Sequence, residues 1–330
     1  MGKILFIRGG AVGDFILTLP AIQLVRQHLP SAGIEVLGYT PITRLAQAAR
    51  LVDATRSIEY GPLSSFFVPG STLPKELVDY FAGFSVVFSY LYDPDDYFAE
   101  NLCRSGVKTL FAGPHRIDES LADQSAARQL AKPLEQLALY LEDPFVHLSF
   151  DDASIAEADR FLDTTPSGAE IRRIAIHPGS GSPRKNWSFE GWVKVALQLY
   201  SDDPTLRFLI TAGEAEERVI GEFVALLDAA GVPYDLASQL PLPVLGSLLQ
   251  RCRLYLGHDS GISHLAAACG VPSVLLFGKT DPAIWAPQNP KVSVIRAPEG
   301  DLSQIDPKAV TAAASRRLAE GSDPKTFSPP

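Results

Sequence analysis

Residues 253–270 read R-L-Y-L-G-H-D-S-G-I-S-H-L-A-A-A-C-G. Leu254, Tyr255 and Leu256 form a short apolar run, the mark of a buried strand. Gly257-His258-Asp259-Ser260-Gly261 breaks it, an Ala-rich helix starts at Ile262, and Gly270-Val271-Pro272 stops it. A strand that turns sharply into a helix aims unpaired backbone N–H groups into the turn, which makes a seat for phosphate. Gly261 lets a ligand approach the backbone closely. Ser260 adds a hydroxyl donor, Asp259 an acceptor for hydroxyl groups, and His264 sits on the first helical turn facing the same space. Asp259 or Ser260 serves equally well as a helix cap, and His264 as a satisfied core histidine. These residues alone leave both readings open.

Upstream, residues 173–177 read as a strand, followed by the loop P-G-S-G-S-P-R-K-N-W at 178–187. Small residues followed by Lys185 suit a diphosphate: backbone and hydroxyl donors surround it and the lysine supplies charge. The Gly-Lys-Ser/Thr spacing of the nucleotide-triphosphate loop is absent. Ser188 is placed to cap the next helix, with Trp187 and Trp192 as a hydrophobic staple. A strand at 206–211 ends in Ala212-Gly213-Glu214, where a carboxylate can accept from ribose hydroxyls. Glu214 is one of several acids there, with Glu216 and Glu217, and any of them also suits the helix dipole. Helices are expected over 239–249 and 306–318, and a strand over 273–277.

The first half repeats the plan. A strand at 3–7 feeds R-G-G-A-V-G-D at 8–14 and then a helix towards Pro30, expected to kink or restart at Pro20. The glycines fall at 9, 10 and 13, out of the G-x-G-x-x-G register, and no acid closes the second strand, which argues against NAD. Asp14 is left at a loop tip, as a helix cap or as a general base. Further strands are expected at 33–39, 56–60, 85–91 and 108–112, with helices at 41–51 and 74–81. Alternating strands and helices imply a mostly parallel, doubly wound sheet. The 61–74 loop carries two exposed-looking phenylalanines, Phe66 and Phe67. Such a loop folds back on its own domain or meets a lipid-linked acceptor. Asp93-Pro94-Asp95-Asp96 reads as a solvated loop rather than a Mg²⁺ site. Arg116 offers a planar fork to a phosphate or carboxylate, or pairs on the surface.

A chain of 330 residues fits two domains. The boundary falls near residue 150, with one domain over 1–150, a second over 151–319 and a disordered tail over 320–330. The amphipathic stretch 151–162 opens the second half. An apolar fraction of 46% with 20% charged residues is that of a globular protein. A net charge of −9 excludes the basic face that nucleic acid demands. Cys103, Cys252 and Cys269 are odd in number, share no metal spacing and read as buried thiols of a reducing compartment. No apolar run reaches the ~20 residues of a membrane span. The expected location is cytoplasmic, with contact at the inner membrane face.

Together R-G-G-A-V-G-D at 8–14, H-P-G-S-G-S-P-R-K-N-W at 177–187 and H-D-S-G-I-S-H-L at 258–265 resemble the heptosyltransferases of glycosyltransferase family 9. The resemblance spans nearly the whole chain. It implies an α/β GT-B fold, two Rossmann-like doubly wound domains facing across a cleft. It implies Asp14 as catalytic base; Ser180, Gly181, Lys185, Ser260 and Gly261 as diphosphate contacts; Glu214 at the ribose and the backbone near Leu240 at the base. Asp259 and His264 would hold the donor sugar, and Gly13 and Arg116 would meet the acceptor. The implied reaction moves heptose from ADP-heptose to the inner core of lipopolysaccharide with inversion, with no metal or cofactor required and Mg²⁺ dependence left open. The implied partners are the nucleotide sugar and a lipid-linked saccharide at the membrane surface. The rivals are a transferase using another nucleotide sugar and a nucleotide-sugar-binding protein without catalysis.

Overall fold

A computed structural model describes residues 2–163 and 171–320. The chain divides into two compact units, Met1–Val146 and His147–Pro330. The expected tail over 320–330 lies outside the described residues except for Glu320, which ends the last helix.

The first unit runs β1 (Lys3–Arg8), α1 (Val12–His28), β2 (Gly33–Gly38), α2 (Thr40–Ala48), β3 (Ala54–Ser57), α3 (Lys75–Ala82), β4 (Val86–Ser89), α4 (Tyr97–Arg104), β5 (Leu110–Ala112) and α5 (Ala126–Ala131). Its five strands are parallel in the order β3-β2-β1-β4-β5. The order reverses between β1 and β4, and ligands of open α/β sheets bind beyond the carboxyl ends of strands at such a point. β1 is buried from Ile4 to Arg8, as an interior parallel strand must be.

Helix α1 runs through Pro20 without a break. Residues 15–22 are all buried, so the helix carries no polar stripe there. Packing of that segment outweighs the one backbone hydrogen bond the proline cannot donate, a defect worth about 3 kcal/mol. The 61–74 segment folds onto its own unit as a 3-10 turn, Gly61–Phe67. Phe66 is fully buried against Phe81, while Phe67 is 42% exposed and packs on Phe98 at 4.7 Å. Asn101 Nδ2 pins the turn by donating to the carbonyls of Phe66 and Val68 at 2.9 and 3.1 Å. Asp93 accepts from the N–H groups of Phe98 and Ala99 at 3.1 and 2.9 Å, capping α4. Cys103 is exposed on the outer face of that amphipathic helix, contrary to the expected burial, whereas Cys252 is buried.

The second unit runs α6 (Asp152–Asp163), β6 (Arg172–Ile176), α7 (Phe189–Asp202), β7 (Leu206–Ala212), α8 (Ile220–Ala229), β8 (Tyr234–Ser238), α9 (Leu242–Leu249) and β9 (Cys252–His258), then α10 (Gly261–Ala268), β10 (Ser273–Phe277), α11 (Pro282–Trp285), β11 (Val292–Arg296) and α12 (Pro307–Glu320). Its six parallel strands lie in the order β11-β10-β9-β6-β7-β8, reversing between β6 and β9. β8 and β11 are edge strands absent from the sequence-based expectation. Ser188 Oγ accepts from Gly191 N–H at 3.1 Å, and the Trp187 and Trp192 rings meet edge-on at 5.0 Å, the cap and staple expected for α7.

Candidate active site

The reversal between β6 and β9 places two loops side by side: 177–187 after β6 and 259–261 after β9. Lys185 Nζ donates to Asp259 Oδ2 at 2.7 Å, joining them. The same oxygen accepts from Thr280 Oγ1 at 2.8 Å, which comes from the loop after β10. Asp259 is therefore a nearly buried carboxylate held by one cation and one hydroxyl. Thr280 carried no signal in the sequence beyond lying just past a strand.

Ser180 is buried, its Oγ 2.7 Å from both the Ser182 carbonyl and Asn186 Oδ1. Gly181 is exposed with open space where a side chain would stand. Ser260 caps α10: its Oγ accepts from Ser263 N–H at 3.3 Å. Gly261 opens that helix and is half-buried, and His264 is buried on its first turn. An open depression of about 590 Å³ lies in this unit, with Ser180, Gly181, Asn186, Phe189, Val219 and Glu222 among its walls.

Two buried histidines shape this edge of the sheet. His258 Nε2 accepts from Trp187 N–H at 2.7 Å, and its Nδ1 donates to the Gly179 carbonyl at 3.4 Å. Burial pushes its pKa down to about 3, so the ring is neutral and the two partners fix the tautomer. His177 Nδ1 donates to the Thr211 carbonyl at 3.0 Å. Burial lowers its pKa against the opposing pull of Glu216, whose Oε1 lies 3.8 Å from Nε2.

The acids after β7 separate by burial. Glu214 is exposed at the start of a 3-10 turn, Glu214–Glu216. Glu216 is 4% exposed, accepts from Gly213 N–H at 2.8 Å, and packs where any Gly179 side chain would stand. The sequence ranked these carboxylates together, and only packing tells them apart. Leu240 is half-buried just beyond β8.

In the first unit, the loop after β1 places Asp14 on the first turn of α1. Ala11 N–H donates to Asp14 Oδ2 at 3.0 Å, so the carboxylate does cap its helix. Its other oxygen, Oδ1, lies 3.7 Å from the guanidinium of Arg8, the last residue of β1. Gly10 has φ +96°, and a Cβ there would fall 2.8 Å from Asp14 Oδ2, so the turn requires glycine on both counts. Gly13 is half-buried beside Asp14, and Arg116 is exposed after β5. Among the described residues no group of three or more His, Cys, Asp or Glu side chains is placed to hold a metal ion. No helix among them is long and apolar enough to cross a membrane.

Comparison with known proteins bears on this arrangement. Glycosyltransferase family 9 (heptosyltransferase) matches residues 112–311. Lipopolysaccharide heptosyltransferase 3 of Escherichia coli K12 is 42% identical, over 83% of this chain and 82% of that one. Lipopolysaccharide core heptosyltransferase OpsX of Haemophilus influenzae is 25% identical over 47% of this chain and 43% of its own, so that alignment spans less than half of the relative. The solved ADP-heptose lps heptosyltransferase II of E. coli superposes with a TM-score of 0.75 at 19% identity, covering 97% of this chain and 100% of that one. The two parallel-sheet units are thus those of a Rossmann-like GT-B fold. A family match over more than half of the residues, beside a relative 42% identical across most of the chain, shows that this protein belongs to glycosyltransferase family 9.

Proposed function

We propose that this protein is an inverting heptosyltransferase that moves heptose from ADP-heptose to a lipid-linked saccharide of the lipopolysaccharide inner core. The observation that carries the reading is the Lys185–Asp259 pair at 2.7 Å, which joins two loops where the strand order reverses. A lysine poised there suits a diphosphate, and a carboxylate beside it suits sugar hydroxyls. The donor identity draws on the relatives, whose names specify heptosyl transfer and, for the E. coli structure, ADP-heptose.

In the proposed step Asp14 takes the proton of an acceptor hydroxyl as its oxygen attacks the anomeric carbon. That carbon–oxygen bond forms while the bond to the diphosphate breaks, and ADP leaves with the electron pair. Attack and departure on opposite faces invert the centre. Lys185 and the N–H groups at Ser260 and Gly261 stabilise the charge growing on the leaving group. Ser180 and Gly181 border the diphosphate, Glu214 the ribose, Leu240 the base, and Asp259 with His264 the sugar. Gly13 and Arg116 border the acceptor. No metal is required if those donors suffice, with Mg²⁺ dependence left open, and in this reading the enzyme works in the cytoplasm at the membrane face.

The test is ADP release from ADP-heptose with a core saccharide lacking heptose. Asp14→Asn is expected to slow turnover by roughly 10²–10⁴-fold, the worth of general-base help, with donor affinity retained. Melting-temperature shifts across ADP, UDP, GDP and their sugars report the donor, since a ligand of the native state raises the midpoint. ADP preference supports the heptose reading, and a UDP or GDP preference replaces it with another nucleotide sugar. Donor binding without any transfer makes the chain a binding protein.

A further inference from the structure

We infer that Arg8 is a positioning residue for Asp14, holding the carboxylate in place from within the sheet; this rests on Asp14 being the general base. Arg8 ends β1 with its side chain only 5% exposed. Its Nε is buried with no hydrogen-bond partner among the described residues. Its terminal nitrogen stands 3.7 Å from Asp14 Oδ1, a charge contact too long for a strong hydrogen bond.

Such an arrangement is a poor stability device. A buried guanidinium loses its hydration, and a distant, partly satisfied partner does not repay that loss. Desolvation accordingly works against the charged form of Arg8, with the Asp14 charge opposing it. The surroundings nevertheless fix the side chain. The Tyr90 ring lies 5.7 Å from the guanidinium carbon, its own hydroxyl donates to the Leu130 carbonyl at 2.8 Å, and Gly113 makes room for it. A Cβ on Gly113 would come within 2.2 Å of that ring.

Two holds therefore act on Asp14 from different directions. The Ala11 N–H fixes Oδ2 along the axis of α1. Arg8 faces Oδ1 from β1. Asp14 from α1, Arg8 from β1 and Tyr90 after β4 meet at this corner. A carboxylate held on two sides stays oriented when it accepts a proton. Arg8 is too buried to touch substrate, so it acts through Asp14.

The experiment compares Arg8→Met and Arg8→Lys in steady-state transfer, with donor affinity and thermal unfolding measured on the same preparations. Arg8→Met is expected to lower kcat about 10²-fold, the cost of a misplaced reacting group. Donor KM stays as in the parent, and the melting temperature is equal or higher, because an apolar side chain replaces a buried charge. Arg8→Lys is expected to recover about ten-fold of that loss, since it returns the charge without the planar fork. A parent-like kcat in Arg8→Met overturns the inference, and so does a loss confined to donor binding. If Arg8→Met does not fold, Arg8→Lys decides alone: a kcat reduced about ten-fold at constant donor KM supports the role, and a parent-like kcat removes it. Asp14→Asn separates the two layers. If it leaves transfer intact, the base assignment fails; if it abolishes transfer while the Arg8 variants match the parent, only the inference fails.

Discussion

The backbone N–H of Trp187 donates to Nε2 of His258 at 2.7 Å, and the same ring donates from Nδ1 to the carbonyl of Gly179 at 3.4 Å. One neutral imidazole at the end of β9 thereby ties both ends of the loop that carries Ser180, Gly181 and Lys185. The Trp192 and His258 rings meet edge-to-face at 5.2 Å, and both are fully buried.

Replacing His258 by leucine leaves the Trp187 N–H buried without an acceptor, which costs about 1–3 kcal/mol. The expected outcome is a lower unfolding free energy of that size in urea and an ADP affinity weakened about ten-fold by calorimetry, as 1.4 kcal/mol implies. Unchanged ADP affinity would separate the tie from the binding loop.

The same histidine sets an acid sensitivity. Its folded pKa of about 3 lies below the value near 6.5 of the unfolded chain. Above pH 6.5 the ring is neutral in both states and contributes no slope. Between about pH 6.5 and 3 the unfolded state takes the proton and the folded state does not, so stability falls as pH falls, by up to about 1.4 kcal/mol per unit for this group. His177, also lowered by burial, adds in the same direction. Urea unfolding from pH 7.5 to 5 checks this, and His258→Asn should flatten the slope.

Asp259 Oδ2 receives both Lys185 and Thr280. In Thr280→Val the carboxylate loses one donor, and a hydrogen bond to a charged group is worth about 1.5–3 kcal/mol. Donor KM is expected to rise about ten-fold with kcat at saturation little changed, which initial-rate kinetics at varied ADP-heptose would report.

Gly179→Ala places a methyl 2.3 Å from Glu216 Oε1 and 2.4 Å from its Cγ. The side chain of Glu216 must move, which breaks its acceptance from Gly213 N–H. Overpacking of this kind costs about 1–3 kcal/mol, so the melting temperature should drop by several degrees in a thermal scan. Gly181→Ala, which meets nothing within 4 Å, should melt like the parent.

Interior strands were legible because parallel strands buried on both faces read as unbroken apolar runs. β6, β9 and β10 show this, and the glycine-rich breaks after them mark the site. The edge strands β8 and β11 were not legible: Y-D-L-A-S and V-S-V-I-R mix polar and apolar residues because only one face of each is covered. Pro20 misled because a local rule took no account of a helix buried along its length. Phe66 and Phe67 look alike in sequence, and only the arrival of Phe81 and Phe98 from distant helices separates them. The motif residues were legible as types, but their pairings were not. Lys185 meets Asp259 across 74 positions, and nothing local announces Thr280 or the inward turn of Glu216.

Each unit completes its own ladder: five strands in one sheet, six in the other, none shared between them among the described residues. A fold assembled this way is modular. A cut near residue 147 severs no strand pairing among the described residues, so, if the proposed function holds, the second unit of a relative with another nucleotide preference can be grafted at that seam. The hybrid should inherit the new leaving group while Asp14, Arg8 and the turn at Gly10 stay as they are.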